Sequence, residues 1–371
     1  MRVIVFDVPA SESGALEILE SFFNYVNCYE RKDIEWLFIV STDKLNTKYN
    51  NSNVSVLRFS FVKKNWFERL RFEIFKVPSL LKNYNADVVF SLQNIASMHS
   101  NKVPQVIYVH QSLPYVSKNF SYLKKNERFL AFYADIFRVL IGWSVRKAVS
   151  VIVQTSWFKE ALVMKHGISA NKITIIPPSL DIYIPAEDVH SELSEFFYPA
   201  TPYVYKNVFI LVEAVRQLKD SGFSPKIFLT MTGSENLYAR ELGTRIRKLG
   251  LSEYFSFIGR ITREEVFRLY RRTTLLFPSR LESYGLPLLE ARIVETSIIA
   301  SDTPFAREIL EGYSKVCFCD ESDAAAFAEA MKTVMSSQKI VHSKFVVKEG
   351  VQIKTPTRWG EVVDLLIAAG S

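Results

Sequence analysis

The sequence predicts an α/β protein built of two doubly wound domains. Three observations carry this. Short apolar runs alternate with helical stretches along the whole chain. The runs are continuously apolar, as parallel strands covered on both faces are. The series breaks once, at a proline-rich stretch near the middle, and then restarts.

In the first half RVIVF (2–6), EWLFIV (35–40), VSVLRF (54–59), DVVFSL (87–92), QVIYV (105–109), SVIVQT (150–155) and KITII (172–176) read as strands. Helical patterns such as GALEILESFFNYV lie between them. PPSLDIYIPAED then combines three prolines with a turn-forming aspartate and reads as the linker, near 178–186. After it KIFLTM (226–231), YFSFIG (254–259), TLLFPS (274–279), SIIAS (297–301) and KVCFC (315–319) continue the strand series. TRWGEVVDLLIAA (357–369) reads as a closing amphipathic helix. The expected division is 1–178, 186–354 and a terminal helical segment at 355–371. No short-period repeat and no low-complexity segment interrupts it.

A length of 371 residues suits two domains, and 48% hydrophobic residues suit sizeable cores. Three cysteines (Cys28, Cys317, Cys319) are too few for a disulfide framework and point to a reducing compartment. Cys317 and Cys319, in KVCFCD, read as small core residues of a buried strand. The start shows no targeting segment, its apolar run ending at Asp7. The longest apolar zone, FRVLIGWSVRKAVSVIV, is broken by Arg146 and Lys147 and reads as no membrane span.

The net charge of +7 is unevenly spread. Residues 1–180 carry 23 Lys and Arg against 14 Asp and Glu, and the remainder 23 against 25. The excess falls within 63–147, with 14 basic and 5 acidic residues. KKNWFERLRFEIFKVPSLLKNY (63–84) and YLKKNERFLAFYADIFRVLIGWSVRK (122–147) interleave these charges with aromatics. Two readings stand side by side: a face for an anionic membrane surface, or aromatics in the core under solvated charges. No nucleic-acid motif accompanies the basic stretch, so nucleic acid is not an expected partner.

The sharpest local pattern is SRLESYGLPLLEA (279–291), after the strand TLLFPS. Pro287 suits the first turn of a helix, because its missing N–H needs no partner there. Glu290 is expected in that first turn. Gly285 permits a tight turn and close approach to the backbone. A helix start offers unpaired N–H groups and a positive dipole end, which favour a diphosphate. A carboxylate beside it either complements the dipole or accepts from two neighbouring sugar hydroxyls.

These residues carry a resemblance. PSRLESYGLPLLEA resembles the E-x7-E signature of the retaining glycosyltransferases of family four, which have the GT-B fold of two Rossmann-like domains facing across a cleft. QTSWFKEAL, KITIIPPSLD, FIGRITREEVFRLYRRTTLLFPSRLESYGLPLLEA and SDTPFAREIL follow one another as in that family. YVHQSLPY and YPATPYVYKN are similar to segments of bacterial members that build surface polysaccharides. The resemblance implies that the terminal helix crosses back to the first domain. It also implies roles: Glu290 on the donor ribose, Glu282 on the transferred sugar, and the backbone of Tyr284, Gly285 and Leu286 around the phosphates.

His110 ends the strand QVIYVH, where ligand sites of such sheets lie. The resemblance places it near the reacting carbon; the other reading is a ring that bonds a nearby loop. His99, His166, His190 and His342 have no constellation and read as surface residues. Gly14, in Ser13-Gly14 where the family has a Gly pair, is a phosphate or acceptor contact or simply a turn glycine. Lys206, before a helix in YPATPYVYKN, would neutralise charge on the leaving diphosphate. As a lysine of an exposed cleft it would carry little packing. Thr201 stands where many family members have an Arg, and Arg260 either compensates or flanks the nucleobase. No P-loop, G-x-G-x-x-G, HExxH, paired CxxC or Asp-x-Asp is present, so metal-independent chemistry is expected.

The expected function is retaining transfer of a sugar from a nucleotide diphosphate-sugar to a hydroxyl of a glycan acceptor. The acceptor would be a lipid-linked oligosaccharide in O-antigen or capsule synthesis, with the enzyme cytoplasmic and peripheral on the inner membrane face. The rivals are a non-catalytic GT-B subunit that binds partner enzymes and a GT-B nucleotide-sugar epimerase.

Overall fold

The computed structural model describes residues 1–371 apart from 11–12, 30, 32, 46–51, 64–65, 99–102, 117–119, 185–191 and 338–349. The chain forms two compact units. The first holds Met1–Pro114, Asp135–Leu180 and Pro356–Ser371, and the second holds Tyr115–Ala134 and Asp181–Thr355.

Up to Leu180 the elements are β1 (Arg2–Asp7), α1 (Ser13–Asn27), β2 (Glu35–Val40), β3 (Val54–Arg58), α2 (Trp66–Arg71), α3 (Val77–Tyr84), β4 (Val88–Ser91), β5 (Gln105–Tyr108), α4 (Arg128–Lys147), β6 (Ser150–Val153), α5 (Ser156–His166) and β7 (Ile173–Ile175). The seven strands form one sheet, ordered β3-β2-β1-β4-β5-β6-β7, with every pairing parallel. Val3 to Asp7 of β1 are all buried, which explains the continuous apolar run.

Alternate residues of this sheet feed two cores. On one face Val3, Val5, Phe38 and Phe90 meet Leu19, Phe22 and Phe23 of α1. On the other Ile4, Phe6 and Val89 meet Val77 and Leu81 of α3. The first face is completed by α12 (Trp359–Gly370), at the far end of the sequence. Trp359 packs on Phe22 with ring centres 5.0 Å apart, and its indole N–H donates to Ser21 Oγ at 2.9 Å. A large aromatic with its one polar atom satisfied holds the helix in place.

The second unit contains β8 (Asp181–Ile184), β9 (Glu195–Tyr198), α6 (Val208–Asp220), β10 (Lys226–Leu229), α7 (Leu237–Lys248), β11 (Phe255–Phe257), α8 (Arg263–Arg272), β12 (Thr274–Phe277), α9 (Leu286–Ile293), β13 (Ile298–Ser301), α10 (Pro304–Ile309), β14 (Val316–Cys319), α11 (Ala324–Ser336) and β15 (Val351–Lys354). Its main sheet is parallel, ordered β11-β10-β9-β12-β13-β14.

Three expectations need correction. The presumed linker is not irregular throughout: β8 lies within it and pairs antiparallel with β15. The segment Tyr115–Ala134 clusters with the second unit, where Asn126 Nδ2 donates to Glu241 Oε2 at 2.8 Å. Cys317 is exposed, because β14 is an edge strand, while Cys319 is buried.

Asp7 ends β1 and is 2% exposed, and its Oδ2 has no hydrogen-bond partner among the described residues. Burial pushes its carboxyl up to about 7, offset in part by the Ala10 N–H and by Arg69. The folded state therefore keeps this proton at a pH where the unfolded chain has lost it. Stability falls as pH rises from the ordinary aspartate range towards 7. Asp7→Asn should remove that slope and gain about 2 kcal/mol or more at pH 8, with little change at pH 4. Thermal unfolding of both proteins across this range measures it.

Candidate active site

β9 and β12 are neighbours in the second sheet, but the helices that follow them diverge. α6 packs with α7 and α11, whereas α9 packs with α8 and α10. The sheet order reverses at this pair, and such a point leaves a crevice beyond the carboxyl ends of the strands. Two loops, 199–207 and 278–285, border it.

The loops are tied by backbone and side chain. The Arg280 N–H donates to Tyr205 O at 2.8 Å, and Tyr198 OH donates to Lys206 O at 3.0 Å. Lys206 Nζ lies 2.5 Å from Glu282 Oε1, the side chains being 13% and 15% exposed. Ser279 Oγ donates to the same Oε1 at 2.8 Å. Both contacts fall on one oxygen of Glu282. Tyr203 and Tyr205 stack beside the pair, ring centres 5.5 Å apart. Burial, then the Glu282 charge, raises the Tyr205 phenol pKa, so the hydroxyl stays protonated. Asn207 enters α6 at φ 56°, turning the chain sharply just after Lys206.

Lys206 was expected to be a catalytic cation that carries little packing. It is one half of a largely buried ion pair, and its removal strands a carboxylate. Breaking such a pair from one side costs more than the pair itself contributes.

Gly285 precedes α9 at φ 93°, in the region that favours glycine, and Pro287 lies in the first turn. α9 begins at Leu286, so Glu290 sits beyond the first turn and not within it. Its carboxylate points at α8 and not at the helix end. Arg263 Nη2 reaches Oε1 at 2.8 Å and Tyr270 OH donates to Oε2 at 3.1 Å. Burial, then the Glu290 charge, holds the Tyr270 phenol pKa well above its ordinary value. At this distance from the helix start, complementing the dipole no longer explains the residue.

Arg260 is exposed and follows Gly259, at φ 69°, after the edge strand β11. It leaves from two strands away from β9. Thr201 is exposed in the loop after β9. Arg280, in the Glu282 loop, donates from Nη2 to Glu321 O at 3.3 Å, and its buried Nε has no partner among the described residues.

His110 and Gly14 belong to the first unit. The His110 N–H donates to Asn94 Oδ1 at 2.7 Å, and Nε2 lies 3.1 Å from Leu92 O and 3.2 Å from Asn94 Nδ2. A carbonyl only accepts, so with the proton on Nε2 the ring donates to Leu92 and keeps its lone pair on Nδ1. Burial pulls the imidazole pKa down to about 4, against the opposing Leu92 bond, so the ring is neutral at pH 7. Gly14 lies in the first turn of α1, and a Cβ there would meet nothing within 4 Å. His166 is buried, contrary to the surface reading; His99, His190 and His342 lie outside the described residues. Among the described residues no three His, Cys, Asp or Glu side chains gather as metal ligands.

Sequence reasoning missed Arg263, Tyr270, Tyr205, Ser279 and Arg280. Arg263 and Tyr270 are seven residues apart, two turns of one helix face, and that spacing was available in REEVFRLY.

Two units, each built on a parallel sheet, make up the GT-B fold. Two family models cover most of the chain: Glycosyltransferase Family 4 over residues 22–183 and Glycosyl transferases group 1 over 190–346. The chain belongs to glycosyltransferase family four. It is 21% identical over 304 residues to the O-antigen chain mannosyltransferase RfbU of Salmonella typhimurium, covering 76% of this chain and 82% of that protein. A sucrose-phosphate synthase of Thermosynechococcus elongatus has a similar fold, with TM-score 0.69 and 14% identity, over 100% of this chain and 96% of that one. Anabaena HepE, solved in complex with UDP and glucose, matches with TM-score 0.63 and 15% identity over 100% and 97%.

The ion pair supplies a direct test. Lys206→Ala and Glu282→Ala should each destabilise the protein by about 1–3 kcal/mol. The double variant should cost less than the sum of the two by roughly 1 kcal/mol or more. Denaturant unfolding of the four proteins reads this out, and strict additivity would mean that the pair does not form.

Proposed function

We propose that this chain is a retaining, metal-independent glycosyltransferase that moves a sugar from a nucleotide diphosphate-sugar to a hydroxyl of a lipid-linked glycan. The reaction serves surface-polysaccharide synthesis at the cytoplasmic face of a membrane. The observation that carries it is the Lys206–Glu282 pair at the switch point between β9 and β12. Related proteins named for O-antigen mannosyl transfer and solved with UDP and glucose support the substrate class.

In this reading the diphosphate lies against the N–H groups at the start of α9, around Tyr284, Gly285 and Leu286. The sugar hydroxyls donate to Glu282 and compete with Lys206 for it. The ammonium then turns to the diphosphate, where charge grows as the bond to the sugar breaks. The acceptor hydroxyl attacks the same face of an oxocarbenium-like sugar, and its proton passes to the departing phosphate oxygen. Glu290 accepts from the ribose while Arg263 and Tyr270 hold its orientation. Arg260 borders the base. In the first unit neutral His110 suits a sugar hydroxyl, and Gly14 leaves room for a close backbone contact.

Membrane attachment would be peripheral. No helix among the described residues is long and apolar enough to span a bilayer. Phe67 and Phe75 are exposed amid Arg71 and Lys76, which supports a lipid-facing surface over a wholly internal role for the aromatics.

The deciding experiment incubates the protein with uridine and guanosine diphosphate-sugars, with and without a lipid-linked acceptor, and follows free nucleotide and product anomer by NMR. Acceptor-dependent nucleotide release with retained anomeric configuration is expected. Release with an epimerised free sugar, or no turnover with any donor, would contradict it. Lys206→Ala should lower kcat by about 10²–10³ at saturating donor without added metal. Glu290→Ala should instead weaken binding of free nucleotide, by on the order of 1–3 kcal/mol in titration calorimetry.

A further inference from the structure

Between α4 and α5 the first unit has a cavity of about 410 Å³, apart from every residue assigned above. Arg138, Arg146, Lys165 and His166 line it, with Val139 and Trp143, and no acidic residue does. Its shape depends on Gly142. A Cβ there would lie 2.7 Å from His166 Nδ1, so only glycine lets that ring lie against the helix. Glycine is unfavourable inside a helix, and the ring packed against it gives it a reason to be there.

The guanidinium groups are held in place. Arg146 donates from Nη1 to Gly142 O and from Nη2 to His166 O, both at 3.1 Å. Arg138 donates to Asp135 Oδ1 at 2.8 Å and to Pro114 O at 3.3 Å. One carboxylate thus stands behind three cations, and the cavity keeps a positive excess. The effect is legible in His166, whose pKa is lowered by burial first and then by Arg146, Lys165 and Arg138. The rim has the opposite character. Val139 is 71% exposed and Trp143 38%. Lys147 Nζ stands 4.8 Å from the Trp143 ring centre.

We propose that this cavity binds the phosphate of an anionic lipid headgroup. The positive charge of Arg138, Arg146 and Lys165 attracts a phosphate, and the volume accepts a glycerophosphate. A free anion would need no exposed Val and Trp around the mouth, whereas a bilayer interface takes up such side chains and favours tryptophan at headgroup depth. This deepens the membrane reading above and rests on it.

The test is flotation of the full chain with phosphatidylcholine vesicles and with mixed phosphatidylcholine–phosphatidylglycerol vesicles at low salt. Lys165 and Val139 are exposed, so Lys165→Glu and Val139→Asp leave the core intact. Each surface charge is worth roughly fivefold in partitioning, so Lys165→Glu, a change of two charges, should bind mixed vesicles about tenfold or more less tightly, and Val139→Asp about fivefold less tightly. Lys82→Glu, exposed on α3 in the same basic stretch, should change binding less than about threefold. Equal loss from Lys82→Glu and Lys165→Glu would mean diffuse attraction, overturning the cavity while membrane binding stands. If inorganic phosphate raises the melting temperature of wild type but not of Lys165→Glu, and both bind vesicles alike, the cavity takes free phosphate and the lipid assignment is wrong. Wild type that does not prefer mixed vesicles would overturn the membrane reading itself.

Discussion

Two parallel strands that lie side by side while their following helices leave on opposite faces create a gap that no core side chain can fill. β9 and β12 are such a pair. The chain must turn sharply as it leaves each strand, and the backbone records this at Asn207 (φ 56°) and Gly285 (φ 93°). At α9 the Leu286 N–H, at the first helical position, has no preceding turn of helix to accept it, whereas at α6 the Val208 N–H donates to Tyr238 OH at 3.0 Å. The Lys206–Glu282 pair lies between the same turns. Burying two opposite charges there gains little for stability, because desolvation offsets most of the attraction. A pair of this kind is better explained by a ligand that exchanges with it.

The two units share a strand order but differ in the charge at their strand ends. In the second the switch point carries a lysine and a glutamate in contact. In the first, burial suppresses charge: it raises Asp7 to about 7 and lowers His110 to about 4. Neutral donors and acceptors suit sugar hydroxyls, whereas fixed charges suit a diphosphate. The two carboxyl edges thus differ in how they treat ionisation.

Most of the sheet strands were readable because a strand covered on both faces must be apolar throughout. β9 was not. It opens with Glu195, and a glutamate in a short apolar run reads as solvent-exposed. Here it is buried in a central strand because Arg272, far along the chain, donates to both its oxygens at 2.7 Å. Only tertiary structure supplies that partner. β8 was hidden among prolines, since its pairing with β15 joins segments remote in sequence. At the site, Gly285 and Pro287 were legible from local backbone rules, and Glu282 and Glu290 from their spacing. That Glu290 faces Arg263 and Tyr270, and that Lys206 meets Glu282, depends on contacts between separate loops and helices. Periodicity along a single element does not encode them.

Amide hydrogen exchange with and without nucleotide diphosphate-sugar tests the central claim most directly, since it reads the backbone that is held to cradle the diphosphate. Uridine and guanosine donors should be compared at saturating concentration. Slowed exchange concentrated in 203–208 and 283–289 is the predicted result, with the edge strands β11 and β14 unchanged. Turnover of donor with no protection in either segment would place the donor elsewhere and contradict the assignment.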